Sequence, residues 1–251
     1  MKSLNFRKQS RRFISSAKVQ PLEFFGKITK NHYLCTLIFI NLITMAIKNI
    51  IFDFGGVLVN WNPRYLLDNY LDNTEEMENL IQVICSPEWN HKLDLGYPFA
   101  LAINELKDEF PKYKDIIQLS YDKWELMLGG DFPKTVDLLY QLKKDGYKIY
   151  GLTNWSKDTF PIAYNKFPFF KEFDGIVVSG EERLGKPDPA FYKLLLDRYN
   201  LIAEESIFID DRAVNVEAAE NLNIHGIFFD SQDTIEEKVY NIITENRLHL
   251  I

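Results

Sequence analysis

Five short runs of Ile, Val, Leu, Phe and Tyr punctuate the chain from Asn49 onward: Ile50–Phe54, Lys148–Leu152, Gly175–Val178, Ser206–Ile209 and Gly226–Phe229. Segments with helical spacing of apolar residues lie among them, at Pro133–Lys144, Lys157–Lys166, Pro189–Asn200 and Val214–Asn223. An apolar run without polar alternation suits a strand buried on both faces, and strands of that kind joined by helices form a parallel sheet covered on both sides. One interval breaks the rhythm. Nearly a hundred residues separate the first run from the second, and they carry helix-period stretches at Pro63–Leu71, Glu75–Cys85, Phe99–Phe110 and Lys114–Leu128. That is too much chain for one crossover, so it reads as a helical bundle inserted over the sheet. The expected division is residues 45–61 and 130–251 as the α/β core, 62–129 as the helical insertion and 1–44 as an extension.

Charge narrows the function. The chain of 251 residues has a net charge of −7, but residues 1–44 alone carry +7, which leaves −14 on the remainder. A surface that acidic repels a phosphate backbone, so no nucleic-acid partner is expected. Cys35 and Cys85 form neither a disulfide framework nor a zinc spacing. Tyr33–Ile47 is the most apolar stretch, yet it falls short of the ~20 residues a spanning helix needs. The preferred reading makes Met45 the start of the folded protein and the preceding stretch a leader. No membrane contact is then expected unless that stretch is a true anchor, and the expected compartment is the cytoplasm.

Four strand-end or loop motifs carry chemistry. Asp53 closes the first apolar run at the edge where parallel sheets hold ligands. Gly55 and Gly56 follow it, and their bare backbone allows an anion to approach. Thr153 and Asn154 close the second run and could hold a phosphate oxygen, although Thr153 or Ser156 could equally cap a helix. Lys186 precedes Pro187-Asp188-Pro189; Asp188 and Pro189 have a sufficient role as helix cap and first turn, whereas Lys186 reads as a fixed positive charge. Asp210 and Asp211 end a later run side by side, a costly pair without a counter-charge. Arg212 could supply it, but Mg²⁺ fits better, since it takes one or two carboxylates together with substrate phosphate.

In this order, the segments FDFGGVL, GLTN, LGKPDP and FIDD resemble the motifs of the haloacid dehalogenase superfamily over the stretch from Met45 to the end. The resemblance implies a Rossmann-like, doubly wound α/β core with an inserted helical cap. It implies Asp53 as nucleophile, with Lys186 and Thr153 sharing the catalytic site. It also implies Gly55, Gly56, Thr153, Asn154 and Lys186 around the substrate, and Mg²⁺ held by Asp53, the Gly55 carbonyl, Asp210 and Asp211. The expected activity is Mg²⁺-dependent hydrolysis of a small, sugar-phosphate-like phosphomonoester through an aspartyl-phosphate. The sequence departs from the family at Gly55, where its phosphatases usually carry an aspartate that serves as acid and base. A resembling subgroup has glycine there. His91 or Asp94 of the insertion could supply the proton instead. Trp89 and Trp124 read as bundle core in preference to substrate pocket. Two other readings stand beside the first: a 2-haloacid dehalogenase, which the acidic pair disfavours, and a non-catalytic binding protein on the same fold.

Overall fold

A computed structural model describes residues 46–70 and 74–248. The basic and apolar stretch before Ala46, with the expectations about a leader or an anchor, lies outside the described residues. Among the described residues no helix is long and apolar enough to cross a membrane.

The five apolar runs form one parallel sheet. Its strands are β1 (Asn49–Phe52), β4 (Lys148–Thr153), β5 (Gly175–Val178), β6 (Ser206–Asp210) and β7 (His225–Phe228), in spatial order β5-β4-β1-β6-β7. β1 is buried along its whole length. Its side chains alternate: Ile50 and Phe52 join the larger core on one face, while Ile51 packs with Leu152, Phe191 and Phe208 on the other. The chain adds β4 and β5 on one side of β1, then returns to add β6 and β7 on the other. β1 therefore sits at the reversal of strand order, and the crevice beyond its carboxyl end is where such sheets bind ligands.

Register brings the motifs together. Phe52 lies opposite Gly151 of β4 and Ile209 of β6, so Asp53, Thr153 and Asp210 leave neighbouring strands at one edge. Gly151 has a packing reason: a Cβ there would fall 2.2 Å from the Phe54 ring. That ring stacks on Phe160 and meets Phe170 and Phe173 edge-on within the buried core.

The insertion contains α1 (Arg64–Leu67), α2 (Thr74–Ile84), α3 (Pro87–Asp94), α4 (Phe99–Glu109) and α5 (Lys114–Asp122). The helix expected over Pro63–Leu71 is the single turn Arg64–Leu67, and two further features differ from the sequence expectation. The segment expected as one helix from Lys114 to Leu128 stops at Asp122, and Leu128–Asp131 forms a strand, β3, antiparallel to β2 (Val59–Trp61). This ribbon joins the insertion's two ends, and Gly129 lets it pass Tyr65, whose ring would lie 2.2 Å from a Cβ. The second feature is α3, which begins at a Ser86 cap accepting from the Trp89 N–H, with Pro87 at the first turn. The remaining helices are α6 (Pro133–Lys144), α7 (Phe160–Lys166), α8 (Ser179–Glu182), α9 (Pro189–Tyr199), α10 (Ala213–Glu220) and α11 (Ile235–Leu248). Asp188 caps α9 as its sequence suggests, accepting from the Ala190 N–H.

Candidate active site

Lys186 is the centre of the site. Its side chain is 0% exposed, and its Nζ lies 2.8 Å from Asp53 Oδ1 and 2.7 Å from Asp210 Oδ2. Burial works against the ammonium, but the two carboxylates outweigh it and raise the Lys186 pKa. The loop holds it firmly: the Lys186 N–H donates to Asn154 Oδ1 at 2.8 Å, and Asn154 Nδ2 donates back to the Lys186 carbonyl at 2.9 Å. Asn154 thus clamps the lysine backbone through both ends of its amide, and it also lines the cavity beside Gly55.

Asp53 follows directly on β1. Its Oδ1 accepts from the Phe54 N–H at 2.7 Å as well as from Lys186. Burial pushes its carboxyl above the ordinary range, Lys186 pulls it down and Asp210 pushes it further up. Asp210 is saturated. Its Oδ1 accepts from the Arg212 N–H at 2.8 Å and Asn215 Nδ2 at 2.9 Å, while its Oδ2 receives Lys186 and Asn215 Nδ2 at 3.1 Å. The counter-charge considered for Arg212 therefore comes from Lys186, and Arg212 contributes its backbone. Asp211 is exposed, and burial of part of its carboxyl, followed by the Asp210 charge, raises its pKa.

Potential ligand oxygens of Asp53, Asp210 and Asp211 lie within 4.8 Å of one another. Three carboxylates against one lysine leave an excess of two negative charges at a mostly buried edge, and oxygen donors of that charge suit a divalent cation such as Mg²⁺. Thr153 supplies a second sign of an intended ligand: its Oγ1 is buried and has no hydrogen-bond partner, a costly state that an incoming acceptor relieves.

The glycines divide. Gly56 adopts φ +77°, and a Cβ there would fall 2.2 Å from Asp211 Oδ2, so only glycine allows Asp211 this approach. Its N–H was expected to face the substrate; it donates to the Val59 carbonyl at 3.0 Å and closes a turn instead. Gly55 lies outside the left-handed region, and a Cβ there meets nothing within 4 Å. It opens onto a cavity of about 150 Å³ whose walls include Trp61, Trp124, Trp155, Phe99 and Asp94. Trp124 belongs to the buried core, as its sequence reading expected, and also reaches the wall of this pocket. Trp89 lines a separate surface hollow, and His91 is exposed.

Two supporting residues carry no motif. Asn215 holds both oxygens of Asp210 from α10, and Ser179 Oγ accepts from the Trp155 N–H at 2.9 Å while donating to the Asp94 carbonyl at 2.5 Å. A polar residue on the buried face of a short helix was the available signal for Asn215.

A doubly wound α/β sheet with an acidic, lysine-centred site at its switch point defines a class of ligand-processing proteins. Residues 47–223 match the haloacid dehalogenase-like hydrolase family, and the chain belongs to it. Among its relatives, the sesquiterpene phosphatase astK of Aspergillus oryzae is 28% identical over 191 residues, covering 72% of this chain and 88% of that protein. The drimenol cyclase drtB of Aspergillus calidoustus is 26% identical over 198 residues; the match covers 78% of this chain but 36% of that longer protein. A HAD family enzyme of Bacteroides thetaiotaomicron, solved in complex with magnesium and inorganic phosphate, superposes with a TM-score of 0.58 at 21% identity, covering 72% and 93% of the two chains. That likeness bears on the fold.

Proposed function

We propose that the protein is a divalent-metal-dependent hydrolase of small phosphate esters, with Asp53 as nucleophile. The observation that carries this reading is the buried Lys186 bridging Asp53 and Asp210, with Asp211 beside them and two negative charges in excess. Such a site favours a cation followed by an anionic group. The 2-haloacid dehalogenase reading fits it poorly, because the uncompensated carboxylates would repel a carboxylate substrate.

Asp53 and Asp211 offer the open carboxylate oxygens for Mg²⁺, with the Gly55 carbonyl as a further ligand, while Asp210 contributes its charge and fixes Lys186. Bound there, Mg²⁺ would supply neutralisation of the phosphoryl oxygens. A carboxylate oxygen of Asp53 attacks phosphorus in line; the new O–P bond forms as the ester O–P bond breaks, and water later cleaves the aspartyl-phosphate. Lys186 meets the charge on the transferring group, and the unpartnered Thr153 hydroxyl donates to one of its oxygens. The insertion serves as a cap, and the indole and phenyl walls of the cavity suit a leaving group with apolar faces. A sugar ring presents such faces, as does a sesquiterpene of the kind named for one relative.

The test is release of phosphate and p-nitrophenol from p-nitrophenyl phosphate with Mg²⁺ and with EDTA, followed by a panel of sugar and prenyl phosphates. Metal-dependent release supports the reading. Absence of release with any divalent metal favours a binding protein on the same fold.

A further inference from the structure

A departing alkoxide needs a proton, and positioned acids contribute about 10²–10⁴-fold to such steps. Gly55 has no side chain to give it. Among the described residues that line the cavity onto which Gly55 opens, Asp94 is the one with an ionisable side chain. His91, one turn earlier on α3, is exposed and outside that lining.

The position of Asp94 is built, since two bonds tie the insertion to the core around it. The Asp94 carbonyl accepts from Ser179 Oγ, which is itself held by the Trp155 N–H. The Phe99 N–H at the start of α4 donates to Asp158 Oδ2 at 2.9 Å. Gly96, at φ +86°, lets the turn between these anchors approach the Gly180 carbonyl, which would lie 2.5 Å from a Cβ. Burial pushes the Asp94 carboxyl up to about 7 against the opposing pull of Lys186 and Arg212, so the neutral acid and the carboxylate are both accessible near neutrality.

We propose that Asp94, brought from the insertion into the cavity beside Gly55, is the general acid and base of the reaction. This rests on the phosphatase reading above. As the Asp53 oxygen bonds to phosphorus and the ester bond breaks, the Asp94 proton passes to the leaving oxygen, giving a neutral alcohol and an Asp94 carboxylate. That carboxylate then takes a proton from the attacking water as the Asp53–phosphorus bond breaks. Asp53 is regenerated ionised, Asp94 is regenerated protonated, and inorganic phosphate leaves.

The experiment compares the full chain with its Asp94→Asn, Gly55→Asp and doubly substituted forms on p-nitrophenyl phosphate and on a simple alkyl phosphate, both with Mg²⁺. Asp94→Asn is expected to lower alkyl phosphate turnover about 10²–10⁴-fold. It should release p-nitrophenol in a rapid burst followed by slow turnover, because that leaving group needs no acid while the water still needs a base. The burst also reports a folded site. Gly55→Asp in the Asp94→Asn background should restore alkyl turnover at least tenfold, since the Gly55 Cβ position is open. A p-nitrophenol burst slowed as much as alkyl turnover, alkyl turnover unchanged in Asp94→Asn, or a double form no faster than Asp94→Asn would overturn the proposal while the phosphatase reading stood. A parent chain with no metal-dependent release would remove both.

Discussion

Two lysines of this protein each meet a pair of acidic or phenolic groups, and they do opposite things. Lys186, at the sheet edge, has a side chain that is 0% exposed and bridges Asp53 and Asp210. Lys92, on the insertion, is 39% exposed; it pairs with Glu105 at 2.5 Å and lies over the Tyr97 ring. Water screens the second group, so its attraction largely replaces hydration that was already there. The first group has lost its water and must be satisfied by protein or ligand. Similar chemistry is surface decoration in one place and a site in the other, and burial is what separates them.

The comparison can be broken in steps. The largest effect is expected for Asp53→Asn, which should abolish turnover with the fold near intact, because the amide is close in shape but a poor nucleophile. Retention of more than a few percent of the rate would remove Asp53 from that role. Lys186→Met should come next in severity. It leaves Asp53 and Asp210 facing each other unpaired, and a loss of about 3–5 kcal/mol is expected in urea unfolding. Asp211→Asn should spare stability and raise the Mg²⁺ concentration needed for half-maximal activity steeply. An unchanged titration would reduce Asp211 to a partner of the Gly56 turn.

A smaller effect concerns pH. Asp94 has its pKa raised by burial from 3.8 to about 7, so the folded chain keeps a proton that the unfolded chain has released between those values. The stability this group contributes therefore falls as pH rises through that window. Asp94→Asn removes the dependence, and its melting temperature should gain on the parent's from about pH 4 to pH 7. Parallel curves would mean that Asp94 is not shielded as described. Smallest of all, Lys92→Ala should leave the unfolding midpoint where it was; a clear loss would erase the contrast between the two lysines.

The same contrast explains what could be read from the residues alone. The strands were legible because a parallel strand buried on both faces has a continuous apolar run, as Asn49–Phe52 and Ser206–Asp210 do. Lys186 was legible as a charge without a local structural reason, and Asp53 and Asp210 as carboxylates at strand ends. The β2–β3 ribbon was not, since Leu128–Asp131 contains two glycines and no apolar alternation. α3 was missed although Ser86-Pro87 is a good helix start, because its eight residues are mostly polar. The direction of the Gly56 N–H and the double clamp by Asn154 depend on turn geometry that no spacing encodes. The choice between His91 and Asp94 likewise required the helix to be placed before one could be seen to reach the cavity.

The central claim is covalent transfer to Asp53. The direct measurement is an acid quench during turnover of a phosphate ester labelled on phosphorus, followed by mapping of the label in the chain. Label on the peptide that carries Asp53, absent when EDTA is added or when Asp53 is Asn, is the expected result. Metal-dependent turnover that leaves no label on the protein and persists in Asp53→Asn would contradict the account.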